Sequence, residues 1–179
     1  MNQQRRRNCL LSAVVITTSA LSLASPTAVA ERKPAGGAAS VDGARIVAAD
    51  REPQNWLANG RTYDEQRYSP LAKINDANVA ELVLAWSYAT GTTRGLQASP
   101  IVVDGTMYTT GTWSVVWALD AKTGRQLWSY DPQVPRAWGR VLCCDAVNRG
   151  VAVWKGAVYV GTIDGRLVSL DAKTGAVRW

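Results

Sequence analysis

Two adjacent cysteines and an arginine five residues further on are the side chains best suited to chemistry: Cys143, Cys144 and Arg149. A disulfide usually joins Cα atoms about 4.4–6.8 Å apart, whereas neighbours across a trans peptide lie about 3.8 Å apart. A bridge between these two cysteines would therefore distort the peptide that links them, and such strain persists mainly at functional sites. Arg149 offers a permanent cation and a planar fork of donors that suits carboxylate and carbonyl oxygens. We expect these three side chains to face a bound ligand.

The same residues allow other interpretations. Adjacent cysteines can form a buried reduced pair or a site for a soft metal, and Arg149 could be the ion-pair partner of Asp145. Some chemistry is excluded, because the chain contains no histidine. Neither a Ser-His-Asp nor a Cys-His catalytic site can be built from it, and the Cys-x-x-Cys-His signature of covalent haem is absent.

Residues 1–30 have the pattern of a secretory signal peptide. Arg5 to Arg7 form a basic start, residues 9–24 are mostly apolar, and Ala28-Val29-Ala30 is a small-residue cleavage site. The apolar run is too short for a membrane span, which needs roughly twenty residues. We therefore expect export through a cleavable signal peptide and no membrane span.

Charge gives little indication of a nucleic-acid partner. Without the signal peptide the chain loses three arginines and no acids, so its net charge falls from +6 to +3. No basic stripe interleaved with aromatic residues is present, and we expect no nucleic-acid binding.

Residues 31–53 are rich in Ala, Gly, Arg and Lys without periodicity, which predicts a disordered lead-in. Residues 54–179 then predict one all-β unit. Trp56, Tyr63 and Tyr68 are expected to anchor an irregular segment, and residues 75–82 to hold one short helical turn. From residue 82 the sequence is β-prone, with hairpins around Asp104-Gly105 and Lys155-Gly156. The strands are expected at 83–88, 100–103, 106–110, 115–119, 126–130, 151–154, 157–160, 167–170 and 177–179.

An internal repeat specifies the architecture. Residues 118–128 and 169–179 are offset by 51 positions, and eight of the eleven positions are identical or differ only by a small side chain. Four strands in a unit of about fifty residues are typical of a β-propeller blade. Within the repeat, Asp and Thr can bond the backbone of a tight turn and Gly supplies a positive φ. Trp128 and Trp179 are expected to stack on the turn of a neighbouring blade and tie blade to blade.

Only two blades can be counted, whereas a propeller closes with about four to eight. We expect residues 54–179 to be the N-terminal part of a longer propeller.

Several motifs resemble the PQQ-dependent alcohol dehydrogenases, the methanol/ethanol-type quinoproteins. The resemblance runs from about Trp56 to Trp179 and rests on residues 56–71, 94–100 and 143–150 and on the two blade repeats. It implies an eight-bladed propeller that holds pyrroloquinoline quinone (PQQ) and a calcium or lanthanide ion. Enzymes of this family oxidise a primary alcohol to an aldehyde in the periplasm and pass electrons to a cytochrome c.

The resemblance also implies roles for individual residues. Cys143 and Cys144 would form a vicinal disulfide that lies on one face of the quinone, and Arg149 would bond its reactive oxygens and stabilise charge that develops there. Gln97 stands where the family usually carries a glutamate that contacts the cofactor. It is a candidate cofactor contact, or else a strand residue beside a turn. The metal ligands and the catalytic base are expected downstream of Trp179, so no catalytic or metal residue is assigned here, and these 179 residues should be inactive alone.

Two other functions fit the blade repeat. One is a non-enzymatic propeller with PQQ-like repeats that acts as an envelope scaffold or sensor, and the other is an enzyme of the same fold that acts on sugars. The cysteine pair with Arg149 favours the alcohol dehydrogenase, while Gln97 leans slightly towards the scaffold.

Overall fold

The computed structural model describes residues 37–179, so the signal peptide and residues 31–36 lie outside the described residues. The predicted disorder of the lead-in is wrong from residue 37 onward. Helix α1 (Gly43–Val47) begins where the Asp42 carboxylate accepts the Arg45 N–H at 2.8 Å, and a 3₁₀ turn (Ala49–Arg51) follows. No helix within residues 37–179 is long and apolar enough to cross a membrane.

Tertiary contacts order this segment although it lacks periodicity. Val41 is completely buried in the core, and its carbonyl accepts the Lys155 N–H at 2.8 Å. Arg45 binds both Glu52 and Asp104. The hydrogen bond from Arg45 is the main cause that lowers the pKa of Glu52. A few well-placed apolar and charged side chains thus offset the ordering entropy.

Four antiparallel strands form the first sheet, in the order in which they occur along the chain. They are β1 (Ile101–Val103), β2 (Thr106–Thr110), β3 (Val116–Asp120) and β4 (Gln126–Tyr130). The Asp104-Gly105 hairpin is confirmed, with Ile101 opposite Tyr108. This four-stranded meander is the predicted blade.

The second sheet repeats the first. Strands β5 (Ala152–Trp154), β6 (Ala157–Gly161) and β7 (Leu167–Asp171) pair in the same antiparallel order. The final residues then return along β7, where Arg178 N–H donates to the Ser169 carbonyl at 2.7 Å and Ser169 N–H donates to the Trp179 carbonyl at 2.9 Å. The prediction of two propeller blades is confirmed.

Trp128 joins the two blades as predicted, and we call this contact between a tryptophan and the turn of the next blade the joint. Its indole Nε1 donates to the Ala172 carbonyl at 3.0 Å, and the Tyr108 hydroxyl donates to the same oxygen at 3.1 Å. The Trp128 ring covers Gly175, where an added Cβ would come within 2.7 Å of the ring. Burial raises the pKa of Tyr108 to about 12. Trp179 has no equivalent turn to cover within residues 37–179, and it is 62% exposed.

Trp86 makes the same joint one blade earlier. Its Nε1 donates to the Ala121 carbonyl at 3.2 Å, and its ring covers Gly124. The pair Ala121 and Gly124 precedes Ala172 and Gly175 by the 51-residue repeat. Residues 86–88 (Trp-Ser-Tyr) also repeat as 128–130.

The segment before this joint differs from its prediction. Residues 83–88 form no strand, because they have no ladder partner among the described residues, and Val83 and Leu84 are more than 80% exposed. The repeated Trp-Ser-Tyr sequence gives this segment the place that β4 has in the first blade. Among the described residues, however, no strands equivalent to β1, β2 and β3 lie beside it.

The connecting segment 54–81 combines one confirmed and one incorrect prediction. The short helical turn is present as a 3₁₀ turn at Val79–Glu81. Trp56 packs on the core and pairs with Val102 at the edge of β1, as an anchor should. Tyr63 and Tyr68 are each more than 60% exposed, so their predicted anchoring role is wrong within the described residues.

Candidate functional site

The cysteine pair and Arg149 lie on the connection between the two blades, residues 141–150, which we call the strap. The chain leaves β4, passes through a 3₁₀ turn at Arg136–Arg140, and enters β5 after the strap. Within the strap, Asp145 has the left-handed backbone conformation, with a φ of 75°, and its carboxylate accepts the Ala146 N–H at 2.7 Å. An aspartate is among the few residues that adopt this left-handed conformation readily.

Cys143 and Cys144 are bonded to each other in the structure, with Cα atoms 3.8 Å apart. Both residues are exposed, so the pair is not a buried reduced pair. Their ring presents a small, rigid surface to solvent. Within residues 37–179, no group of three or more His, Cys, Asp or Glu side chains is arranged to hold a metal ion.

Arg149 is exposed, and its guanidinium makes no hydrogen bond or ion pair with any residue of the described part of the chain. Asp145, the partner considered from the sequence, instead forms an ion pair with Arg94. The donor fork of Arg149 is therefore available for a ligand.

The segment that carries Gln97 lies against the strap. Ser99 N–H donates to the Arg149 carbonyl at 3.3 Å, and the Arg94–Asp145 ion pair forms a second link. Gly150 allows the close approach, since it has a φ of +124° and an added Cβ would lie 3.0 Å from the Ser99 carbonyl oxygen. Gln97 itself is exposed. The structure thus brings together the chain segments of all four predicted site residues.

Two supporting groups were not identified from the sequence. Trp113 N–H donates to the Ala146 carbonyl at 2.9 Å, and the Arg136 guanidinium lies 4.3 Å from the centre of the Trp113 ring. Asn148 makes side-chain hydrogen bonds to both blades. All of these contacts join residues more than ten positions apart, so no local pattern predicts them.

The strap fits a flat ligand that carries anionic or carbonyl oxygens. A rigid disulfide offers a stacking surface, and an unpaired guanidinium offers directed donors in a fork. PQQ is such a ligand, so Cys143, Cys144 and Arg149 are suited to contact it.

Tryptophan-joined blades and an exposed vicinal cysteine pair define part of a quinoprotein-type propeller. The family model described as "Glucose/ethanol/alcohol dehydrogenase, beta-propeller domain", for PQQ proteins, matches residues 56–178. The chain belongs to this family.

Known proteins similar to the chain agree with this assignment. Quinohemoprotein alcohol dehydrogenase ADH-IIG of Pseudomonas putida is 63% identical over 159 residues, which cover 89% of this chain and 22% of that protein. Its solved structure superimposes with a TM-score of 0.78 at 65% identity, covering 79% of this chain and 21% of that one. A europium-containing methanol dehydrogenase gives a TM-score of 0.71 at 39% identity, covering 76% of this chain and 24% of that one.

A third relative is the 1-butanol dehydrogenase (cytochrome c) of Thauera butanivorans, which is 56% identical over 124 residues, covering 69% of this chain and 18% of that protein. The chain thus spans about a fifth of the length of the relatives it matches.

Proposed function

We propose that the full-length polypeptide carrying this segment is a PQQ-dependent dehydrogenase that oxidises a primary alcohol to an aldehyde. The observation that carries the proposal is the strap, on which a bonded cysteine pair and Arg149 are both exposed, the guanidinium having no partner among residues 37–179. Support also comes from relatives that are named quinohemoprotein alcohol dehydrogenase and 1-butanol dehydrogenase (cytochrome c). A non-enzymatic scaffold would not need a free cation beside a vicinal disulfide.

The residues of this chain have the following roles in the proposal. The Cys143–Cys144 ring supports one face of the flat cofactor and excludes water from it. Arg149 donates to the cofactor's oxygens and stabilises negative charge there, since charge-assisted hydrogen bonds are about twice as strong as neutral ones. Gln97 contacts the cofactor through its amide and brings no charge of its own. When bound, PQQ accepts the two electrons that the alcohol loses.

The remaining parts of the proposal concern the rest of the polypeptide. We propose that a calcium or lanthanide ion and a catalytic aspartate are held outside residues 37–179, and that electrons pass to a cytochrome c. Residues 1–30 have the sequence pattern of a signal peptide, on which we base a periplasmic location. Cell fractionation and N-terminal sequencing test the location: a mature chain that begins at Glu31 supports it, and an uncleaved cytoplasmic chain contradicts it.

The enzymatic proposal is tested with the full-length protein, PQQ, calcium or a lanthanide, a primary alcohol and a dye acceptor. We expect dye reduction that requires both PQQ and the alcohol and that falls strongly in Arg149→Ala. Arg125→Ala is the matched control, because Arg125 is also exposed and its side chain makes no hydrogen bond or ion pair with any residue from 37 to 179. Folded protein that binds no PQQ and oxidises no alcohol would overturn the proposal in favour of a scaffold.

A further inference from the structure

The amide of Asn148 uses all four of its hydrogen-bonding positions. Its Oδ1 accepts from the Thr110 hydroxyl at 3.0 Å and from the Gly150 N–H at 3.0 Å. Its Nδ2 donates to the Ser114 hydroxyl oxygen at 3.0 Å and to the Gly161 carbonyl at 2.8 Å. An asparagine side chain offers two N–H donors and two lone pairs, so no capacity remains for a ligand. Asn148 itself is therefore not a cofactor contact.

These four bonds connect different parts of the molecule. Thr110 is the last residue of β2 in the first blade, and Gly161 is the last residue of β6 in the second. Ser114 is completely buried in the β2–β3 connection. Asn148 thus fixes one point of the strap to both blades.

The next residue along is Arg149, and its backbone is held on both sides. Asn148 precedes it, the Gly150 N–H returns to the Asn148 side chain, and the Arg149 carbonyl accepts from Ser99. Its guanidinium nevertheless has no partner among residues 37–179. With the backbone already fixed, only the Arg149 side chain remains to be ordered, so less freedom is lost when the ligand binds than if the strap also moved.

We propose that Asn148 is a positioning residue for the cofactor site: it presets Arg149 for the ligand's oxygens by fixing the strap to both blades. This inference rests on the proposed function, because it takes PQQ as the ligand of Arg149. A residue that only stabilises the fold would change the melting temperature and leave the affinity of the folded protein for PQQ unchanged.

The test measures two quantities on the full-length apoprotein with its metal: the melting temperature without PQQ, and the dissociation constant of PQQ by spectroscopic titration well below that temperature. The variants are Asn148→Ala, Arg149→Ala and the double variant. Asn78→Ala is the control, since the Asn78 amide also bonds the backbone but only within its own turn, at residues 73 and 75.

We expect Asn148→Ala to weaken PQQ binding roughly tenfold, the lower end of what loss of an outer-shell partner costs a metal site, and Asn78→Ala to leave it unchanged. If Asn148 acts through Arg149, the double variant should bind PQQ no more weakly than Arg149→Ala alone, because the two effects are then not additive. Unchanged PQQ affinity in Asn148→Ala, or additive losses in the double variant, would overturn the inference.

The two proposals fail in different ways. If Arg149→Ala retains normal PQQ affinity, or the parent protein binds no PQQ, the proposed site is wrong and the inference falls with it. If Arg149→Ala binds weakly and Asn148→Ala normally, only the inference is wrong.

Should Asn148→Ala not fold, Thr110→Val gives the same test in milder form, since it removes one donor to Asn148 and nearly preserves the shape. We then expect a smaller loss of affinity that disappears when Arg149 is also alanine. Unchanged affinity in Thr110→Val, or a loss that persists without Arg149, would overturn the inference.

Discussion

The joint at Trp128 and the strap at residues 141–150 differ in the burial of their side chains. At the joint, Trp128 and Tyr108 are buried, and both donate to one carbonyl, that of Ala172. On the strap, the backbone is held by hydrogen bonds, but Cys143, Cys144 and Arg149 are exposed.

The difference separates residues that stabilise the fold from residues that serve a ligand. A buried aromatic residue with a satisfied N–H contributes to folding directly. An exposed cation contributes little stability, since even exposed ion pairs give about 0–1 kcal/mol. We therefore expect substitutions at the joint to affect unfolding, and substitutions on the strap to affect PQQ binding.

The largest effect should come from Trp128→Ala. Loss of a buried tryptophan costs about 3–5 kcal/mol of unfolding free energy, here with the loss of the bond to Ala172. Denaturant unfolding of the full-length protein measures this, with Leu127→Ala as control because Leu127 is a neighbour in β4 that is 41% exposed. Equal losses in the two variants would contradict the role of the joint.

Gly150→Ala should lower both the free energy of unfolding and the affinity for PQQ, so it connects the two regions. The position needs a φ of +124°, and the new Cβ would lie 3.0 Å from the Ser99 carbonyl oxygen. We expect the free energy of unfolding to fall by about 1–3 kcal/mol, together with weaker PQQ binding. Gly161→Ala is the control, because an added Cβ there meets nothing within 4 Å. A Gly150→Ala protein with normal stability would show that the close approach is not required.

Replacing Cys143 and Cys144 together by serine should weaken PQQ binding while changing the free energy of unfolding only slightly. A bridge between neighbours closes a very short loop, so it constrains the unfolded chain little and its loss costs about 1 kcal/mol. PQQ binding should nevertheless fall, because the stacking surface is lost. A protein that loses several kcal/mol but binds PQQ normally would assign the disulfide to the fold.

The smallest effect concerns the turn at Asp171. Its hydrogen bond from Arg178 is the largest of the causes that lower the pKa of Asp171 to about 2. The unfolded value is about 3.9, so the stabilising contribution is fully present above about pH 4 and is lost as the pH falls through about 2. Unfolding measured from pH 2 to pH 7 should show a smaller pH dependence in Asp171→Asn than in the parent. The same profile in both proteins would contradict this assignment.

Local patterns predicted the blades well because turn chemistry is local. In each repeat the Asp accepts from the Thr hydroxyl and from the backbone N–H groups two and three positions further on, and the Gly has a positive φ. The same patterns failed for residues 37–53, where Val41 is buried and its carbonyl accepts the N–H of Lys155, more than a hundred positions away. They also gave no indication that Trp86 covers the turn at Gly124.

For the site, residue types identified the cysteine pair and Arg149 as candidates, because few side chains offer those chemical groups, and the family resemblance added Gln97. The sequence by itself thus determined the 51-residue repeat and the chemical groups available to a ligand. Only the tertiary structure decided that Asp145 pairs with Arg94 and that Asn148 bonds both blades. Each of these contacts joins residues far apart along the chain, so their partners are specified only when the chain has folded.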